Sequence, residues 1–241
     1  MARLFNDASS EYLETDQTVL ANPPITMACW FYSDDADAVQ GLMFLGDKDA
    51  GNQYQALCAH GGDAGDPIVV QSRSSQGTGS AITTSGYSVN TWHHACGVWP
   101  SGLQRHVFID GGSKGSNSQV IGPGGLDRTT IGRYGDSSPG FYMSGRIAEA
   151  AIWNVALSDE EVALLAKRFS PLFVRPQNLM AYWPLVRDTD IDKVGRYNLT
   201  GYNSPGIAEH APIIYPATPF ALALAASKKI TPLLLRAIEK Y

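Results

Sequence analysis

Up to about residue 155 the chain alternates short apolar runs with clusters of Gly, Asn, Asp and Ser. The runs cover Glu11 to Glu14, Ile25 to Tyr32, Gly41 to Leu45, Tyr54 to His60, Ile68 to Gln71, Ala81 to Thr84, Trp92 to Val98, His106 to Ile109, Thr129 to Ile131 and Ser144 to Trp153. Their lengths, and the turn signals between them, predict the strands of an all-β sandwich. Phe108-Ile109-Asp110-Gly111-Gly112 predicts a hairpin, because Asp-Gly readily takes the positive φ values that a tight turn needs. One segment breaks the pattern. Ser158 followed by Asp159, Glu160 and Glu161 is a capping box, and Val162, Leu165 and Ala166 make an apolar face behind it. A helix is expected over 159–168, with Lys167 and Arg168 at its C-terminal end and Ser170-Pro171 stopping it. A further strand block follows at Leu179 to Leu185, then a stretch rich in Gly, Asn and Pro to about Pro219.

The last 23 residues change character: Lys228, Lys229, Arg236 and Lys240 against Glu239 leave +3 there and -8 on the rest. Thr231 can cap a helix with Pro232 at its first position, and Leu233, Leu234, Ala237 and Ile238 then form an apolar stripe. A helix over 232–240 is marginal alone in water and needs something to pack on. These four apolar residues are therefore read as an interaction arm, basic where the body is acidic.

With 241 residues the chain is long enough for one generous domain plus an appendage. A hydrophobic content of 44% and only 17% charged residues argue against disorder. The net charge of -5 gives no general attraction for nucleic acid or anionic lipid, so neither is an expected partner. No basic start leads into an apolar run, so no signal peptide is expected, and no apolar stretch is long enough to span a bilayer. Cys29, Cys58 and Cys96 are odd in number and sit inside strand-like runs, which suits buried reduced thiols.

Several of these segments carry a resemblance. Met27-Ala28-Cys29-Trp30-Phe31-Tyr32, Trp92-His93-His94, Phe108-Ile109-Asp110-Gly111, Ile131-Gly132, Gly145 to Trp153 and Ala156-Leu157-Ser158-Asp159-Glu160-Glu161 occur in an order and spacing that resembles the laminin G-like, concanavalin A-like jelly rolls. The resemblance covers about residues 8 to 168 and implies two antiparallel sheets, one short helix and a C-terminal extension. One departure stands out: a block like Leu179-Met180-Ala181-Tyr182-Trp183-Pro184-Leu185, with Asp188 or Asp192, Gly195 and Asn198-Leu199 behind it, usually opens such domains, and here it follows the helix. It folds back as a permuted strand, or serves a neighbouring subunit as a donor strand, or begins a truncated second copy. The first reading gives a sandwich over 1–203 with block 179–203 permuted into it, and an extension over 204–241.

Glucanases on this fold use two carboxylates on one strand face, which requires acids at alternate positions. The strand Gly145 to Trp153 offers Glu149 alone, and no nucleophile elbow, paired metal-ligating His motif or phosphate loop is present, so no catalytic activity is expected. His93 and His94 are adjacent in a strand and point to opposite faces, one to the core and one outward. Pentraxin-like relatives hold calcium with oxygens from two loops. The resemblance implies ligands at Asp47, Asp49 and Asn52 in one and Asp136 in the other, with Tyr134 and Gly135 standing where further oxygens would be. Calcium takes about six to eight oxygens, so this is a poor cage and no cofactor is expected. For glycan binding, Trp99, Tyr134 and Tyr142 are candidate aromatic platforms at strand ends.

Phage-encoded laminin G-like proteins resemble this arrangement, including the late Tyr-Trp-Pro-Leu segment. The implied function is a non-enzymatic virion structural protein, a capsid decoration or tail-fibre component with a glycan-adhesion role. Its expected partners are like subunits, a major capsid or tail protein and a cell-surface glycan, and its expected location is the virion, after synthesis in the host cytoplasm. The alternative is a cellular carbohydrate-binding, lectin-like module; a glycoside hydrolase on the same fold is more remote.

Overall fold

The computed structural model describes residues 1–186 and 190–216. Its strands in chain order are β1 (Ala2–Phe5), β2 (Tyr12–Thr15), β3 (Ile25–Ser33), β4 (Val39–Gly46), β5 (Tyr54–His60), β6 (Pro67–Ser74), β7 (Gly77–Gly86), β8 (Trp92–Ser101), β9 (Gln104–Ile109), β10 (Gly112–Asn117), β11 (Arg128–Ile131), β12 (Gly145–Trp153), β13 (Leu179–Trp183), β14 (Thr200–Tyr202) and β15 (Gly206–Ala208). They form two sheets, one of eight strands in the order β10-β9-β8-β3-β12-β1-β15 with β13 also on β12, the other of seven in the order β14-β2-β11-β4-β5-β6-β7. Every strand pairing in them is antiparallel, as in a jelly-roll sandwich.

The alternation within each strand sorts its side chains between two faces. Met27, Cys29 and Phe31 of β3, Met43 and Leu45 of β4, Leu57 and Ala59 of β5 and Ile68 and Val70 of β6 fill the space between the sheets. The other faces are also covered. Over the eight-stranded sheet, Val162 and Leu165 of the helix α1 (Asp159–Ala166) pack with Val98, Phe108 and Trp153. The capping box forms at its start: Ser158 Oγ accepts from Glu161 N at 3.3 Å, and Glu161 Oε2 accepts from Ser158 N at 2.9 Å. The helix ends two residues before the expected Arg168, because Arg168 turns to φ 74° after Lys167 caps the last turn.

The Asp110-Gly111 turn joins β9 to β10 with φ of 50° and 74° at its two residues, the positive values that its sequence predicts. Polar β10 was not among the predicted strands; it forms as the second arm of this hairpin. Gly115 lies so close to β7 that a Cβ would come within 1.9 Å of Ile82 O, so the two sheets approach here without a side chain between them.

The late block joins both sheets. β13 pairs with β12 from Ala150↔Trp183 to Trp153↔Leu179, and β14 pairs with β2. Trp183 is fully buried, its indole N–H donating to Tyr197 O at 2.7 Å, and Leu185 and Leu199 lie in the central core. β12 thus gives one edge to two partners, β1 along Gly145–Ile147 and β13 along Ala150–Trp153, with an irregularity between them. Residues 206–214, within the extension expected over 204–241, pack on the sandwich: β15 covers the free edge of β1, Ala211 is buried against Trp30 and Ala148, and Ile214 bridges Phe169. The interaction-arm residues Leu233, Leu234, Ala237 and Ile238, with the helix expected over 232–240, lie outside the described residues. Among the described residues no helix is long and apolar enough to cross a membrane.

Candidate functional site

The outer face of the seven-stranded sheet carries its own buried cluster of Phe44, Tyr54, Ala56, Cys58, Val69 and Tyr134. Two features build it. Alternation places Tyr54, Ala56, Cys58 and His60 of β5 on the same side as Val69, Gln71 and Arg73 of β6. The chain after β11 then folds over this surface as a small loop, tied by Tyr134 N to Gly140 O at 2.9 Å and by Gly41 N to Phe141 O at 2.7 Å. Phe141, at φ 54° and 52% exposed, stands edge-on to Tyr134 with ring centroids 4.9 Å apart. A bulky side chain held in the left-handed region is strained, and such strain collects at binding and catalytic sites.

Between the loop and the strands lies a cavity of about 250 Å³ lined by Val39, Tyr54, His60, Gln71, Arg73, Thr78, Tyr134 and Phe141. Its polar groups are fixed in direction. The Tyr54 hydroxyl, beside Arg73, donates to Gln71 Oε1 at 3.3 Å. The Tyr134 hydroxyl is 3.2 Å from the same oxygen and 3.0 Å from Cys58 Sγ. With its carbonyl end held by two phenols, Gln71 turns its NH₂ donors away from them. Burial raises the pKa of Tyr54 and Tyr134, and pushes the Cys58 thiol up to about 12, so all three remain protonated. His60 Nδ1 lies 2.9 Å from Asp63 Oδ2, while its Nε2 is buried without a partner.

The family model for the concanavalin A-like lectin/glucanases superfamily matches residues 7–163. The chain belongs to that superfamily. Solved structures of this concanavalin A-like fold include a candidate carbohydrate-binding protein from Bacteroides ovatus, 20% identical, with a TM-score of 0.62 over 88% of this chain and 61% of that one. The heptameric SAP-like pentraxin of Limulus polyphemus is 14% identical, with a TM-score of 0.58 over 86% of this chain and 93% of its own. The CBM40 of the Ruminococcus gnavus IT-sialidase, solved with α2,3-sialyllactose, is 14% identical with a TM-score of 0.53, covering 61% of this chain and 84% of that one. A comparison with curated proteins gives no match.

Of the three aromatic platforms that the sequence suggests in this concanavalin A-like chain, the structure brings one to the cavity. Trp99 is corrected to a core residue: it is 1% exposed, and its indole N–H donates to Ser72 Oγ at 2.9 Å between the sheets. Tyr142 is half-buried against Tyr12, with centroids 6.3 Å apart, and lines none of the cavity. Tyr134 is buried but forms part of the cavity wall.

The calcium expectation divides. Oxygens of Asp47 and Asp49 gather with one from Asp127, all within 4.8 Å of one another. The Lys48 ammonium, however, bonds Asp127 Oδ2 at 2.8 Å and Asp49 Oδ2 at 2.9 Å, so the chain supplies its own cation there. Asp136 comes up beside Gly51 of the same loop, but its Oδ1 accepts from Ser138 N at 2.9 Å. Asn52 instead borders an open hollow with Asp47, Gln53 and Gln76. These residues do not fit a calcium cage.

Glu149 occupies the irregularity where β12 changes partners, at φ 55°. It is buried, accepting from the Tyr182 and Tyr215 hydroxyls at 2.7 Å each, with His210 Nε2 3.5 Å away. Burial lifts its pKa to about 7 against the opposing effect of the two phenols. No second carboxylate stands among these neighbours, so the paired-acid arrangement of a glycosidase is not assembled around it. Of the paired histidines, His94 is buried, its pKa lowered to about 4 by that burial, and His93 faces Asp110 on the other side at 2.7 Å. Cys29, Cys58 and Cys96 are buried free thiols.

Proposed function

We propose that this chain is a non-catalytic glycan-binding module and that its ligand seats in the cavity between β5, β6, β7 and the 133–142 loop. The observation that carries the reading is the pairing of aromatic and polar walls in one small recess. Phe141 and Val39 offer apolar surface to the C–H face of a sugar ring, and Gln71 and Thr78 offer hydrogen-bonding groups at its edge. Tyr54 and Tyr134 together align the Gln71 amide, and a side chain held in this way loses little freedom on binding. At about 250 Å³ the recess is sized for one sugar unit rather than a chain of them. The likeness in fold to the sialyllactose-binding CBM40 and to the Bacteroides ovatus protein supports the same reading. Neither lends support to a virion role.

A glycan array followed by titration calorimetry on its hits tests the proposal. Phe141→Ala and Gln71→Ala are each expected to weaken binding roughly tenfold or more, about 1.4 kcal/mol. Full affinity in both variants would place any glycan site elsewhere.

A further inference from the structure

The donors and acceptors around the cavity are unequal. Arg73, the Gln71 NH₂ and the Thr78 hydroxyl all supply N–H or O–H groups. His60 adds no acceptor to the cavity, since its Nδ1 is engaged by Asp63 and its Nε2 is buried. Among the described residues no carboxylate lines the cavity.

The arginines on this face differ in the same sense. Arg133 pairs with Glu14 at 2.5 Å and stacks over the Tyr12 ring, and Arg128 pairs with Asp16 at 3.1 Å and approaches Glu14 at 3.6 Å. Arg73 is exposed, forms no ion pair among the described residues and lies beside the neutral Tyr54 hydroxyl. A guanidinium has five N–H donors in a fixed fork, and one phenol oxygen leaves most of them unused.

Resting on the glycan-binding reading, we infer that the cavity selects a saccharide unit bearing an anionic group, a carboxylate or a sulfate, which Arg73 receives while Gln71 donates to the same group. Two oxygens of the anion meet two parallel N–H groups, the geometry in which arginine binds carboxylates and sulfate-like anions most strongly. The ring behind the anion then lies against Phe141 and Val39.

Titration of the full chain with sialyllactose, sulfated lactose, lactose and inorganic phosphate separates the possibilities. The expected result is at least tenfold tighter binding of one or both acidic saccharides than of lactose, with the preferred one identifying the anion. Arg73→Gln should bring that affinity down to the level of lactose. Lys193→Gln, the same charge change on a residue tied to β13 of the other sheet, should keep the preference intact. The melting temperature of Arg73→Gln should match that of the wild type, because the side chain is exposed. Equal binding of lactose and the acidic sugars, both lost in Phe141→Ala, would overturn the selectivity and leave the glycan site standing. Binding of no saccharide at all would overturn both. Phosphate binding as tightly as the acidic sugars would show an anion site without sugar recognition, and would also overturn the inference.

Discussion

Replacing Glu149 by Gln tests the account of the β12 irregularity. The carboxyl is buried, and its pKa rises from 4.5 in the open chain to about 7 in the fold. A raised pKa means that the folded protein holds the proton more tightly than the unfolded one. Stability from this group is therefore complete below pH 4.5 and is lost as the pH rises through 7. At about 1.4 kcal/mol for each tenfold change in proton affinity, the loss by pH 8.5 is about 3 kcal/mol. Gln removes the titration, at a cost. Tyr182 and Tyr215 donate to separate carboxylate oxygens, and an amide has one acceptor, so one phenol must turn, Tyr182 toward Ser170 Oγ at 3.3 Å. That exchange costs about 1 kcal/mol. The variant should thus be less stable than the wild type by about 1 kcal/mol at pH 4, level with it near pH 5, and more stable by about 2 kcal/mol at pH 8.5. In a protein of this size the latter is a rise of roughly 4–8 °C in melting temperature. Urea unfolding and thermal melts at half-unit steps from pH 4 to 9 would trace both curves. Two curves separated by a constant offset, with no crossing, would refute the reasoning.

Two further outcomes follow from the fold. Trp183→Ala removes a fully buried indole from the core together with its bond to Tyr197 O, and should cost about 3–5 kcal/mol in urea unfolding; a loss under 1 kcal/mol would show that β13 contributes little to the sandwich. Millimolar calcium should leave the wild-type melting temperature within about 1 °C, since Lys48 already neutralises Asp49 and Asp127, and a rise of several degrees would contradict that arrangement.

The sheets, the Asp110-Gly111 turn and the helix start at Ser158 are legible in the sequence, because each is a local pattern: alternation, positive φ and a capping pair. The cavity is not. Tyr54, Ala56 and Cys58 face outward in β5, yet the 133–142 loop buries them, so the run Tyr54 to His60 is apolar on both faces and no alternation marks which side holds a site. Gln71 and Arg73 sit two apart in β6, and that spacing is the one signal that could have singled them out. Trp99 misleads for the opposite reason: an aromatic near a strand end reads as a surface platform, but Ser72, distant in sequence, offers its indole an acceptor inside the core. The bend at Glu149 arises because β12 serves β1 and β13 in succession, a circumstance set by segments distant in the chain.

The placement of β13, β14 and β15 also sets a timetable. A ribosome adds about 5–20 residues per second, so every strand through β12 is out well before residues 179–208 that finish both sheets. During that interval half of one edge of β12 and the outer edges of β1 and β2 present unpaired N–H and C=O groups, the templates on which nascent chains stick to one another. The sandwich therefore reaches its protected form only when its late segments arrive. Chaperone dependence and sensitivity to premature release should concentrate in the interval before residues 179–208 emerge, rather than being spread along the chain.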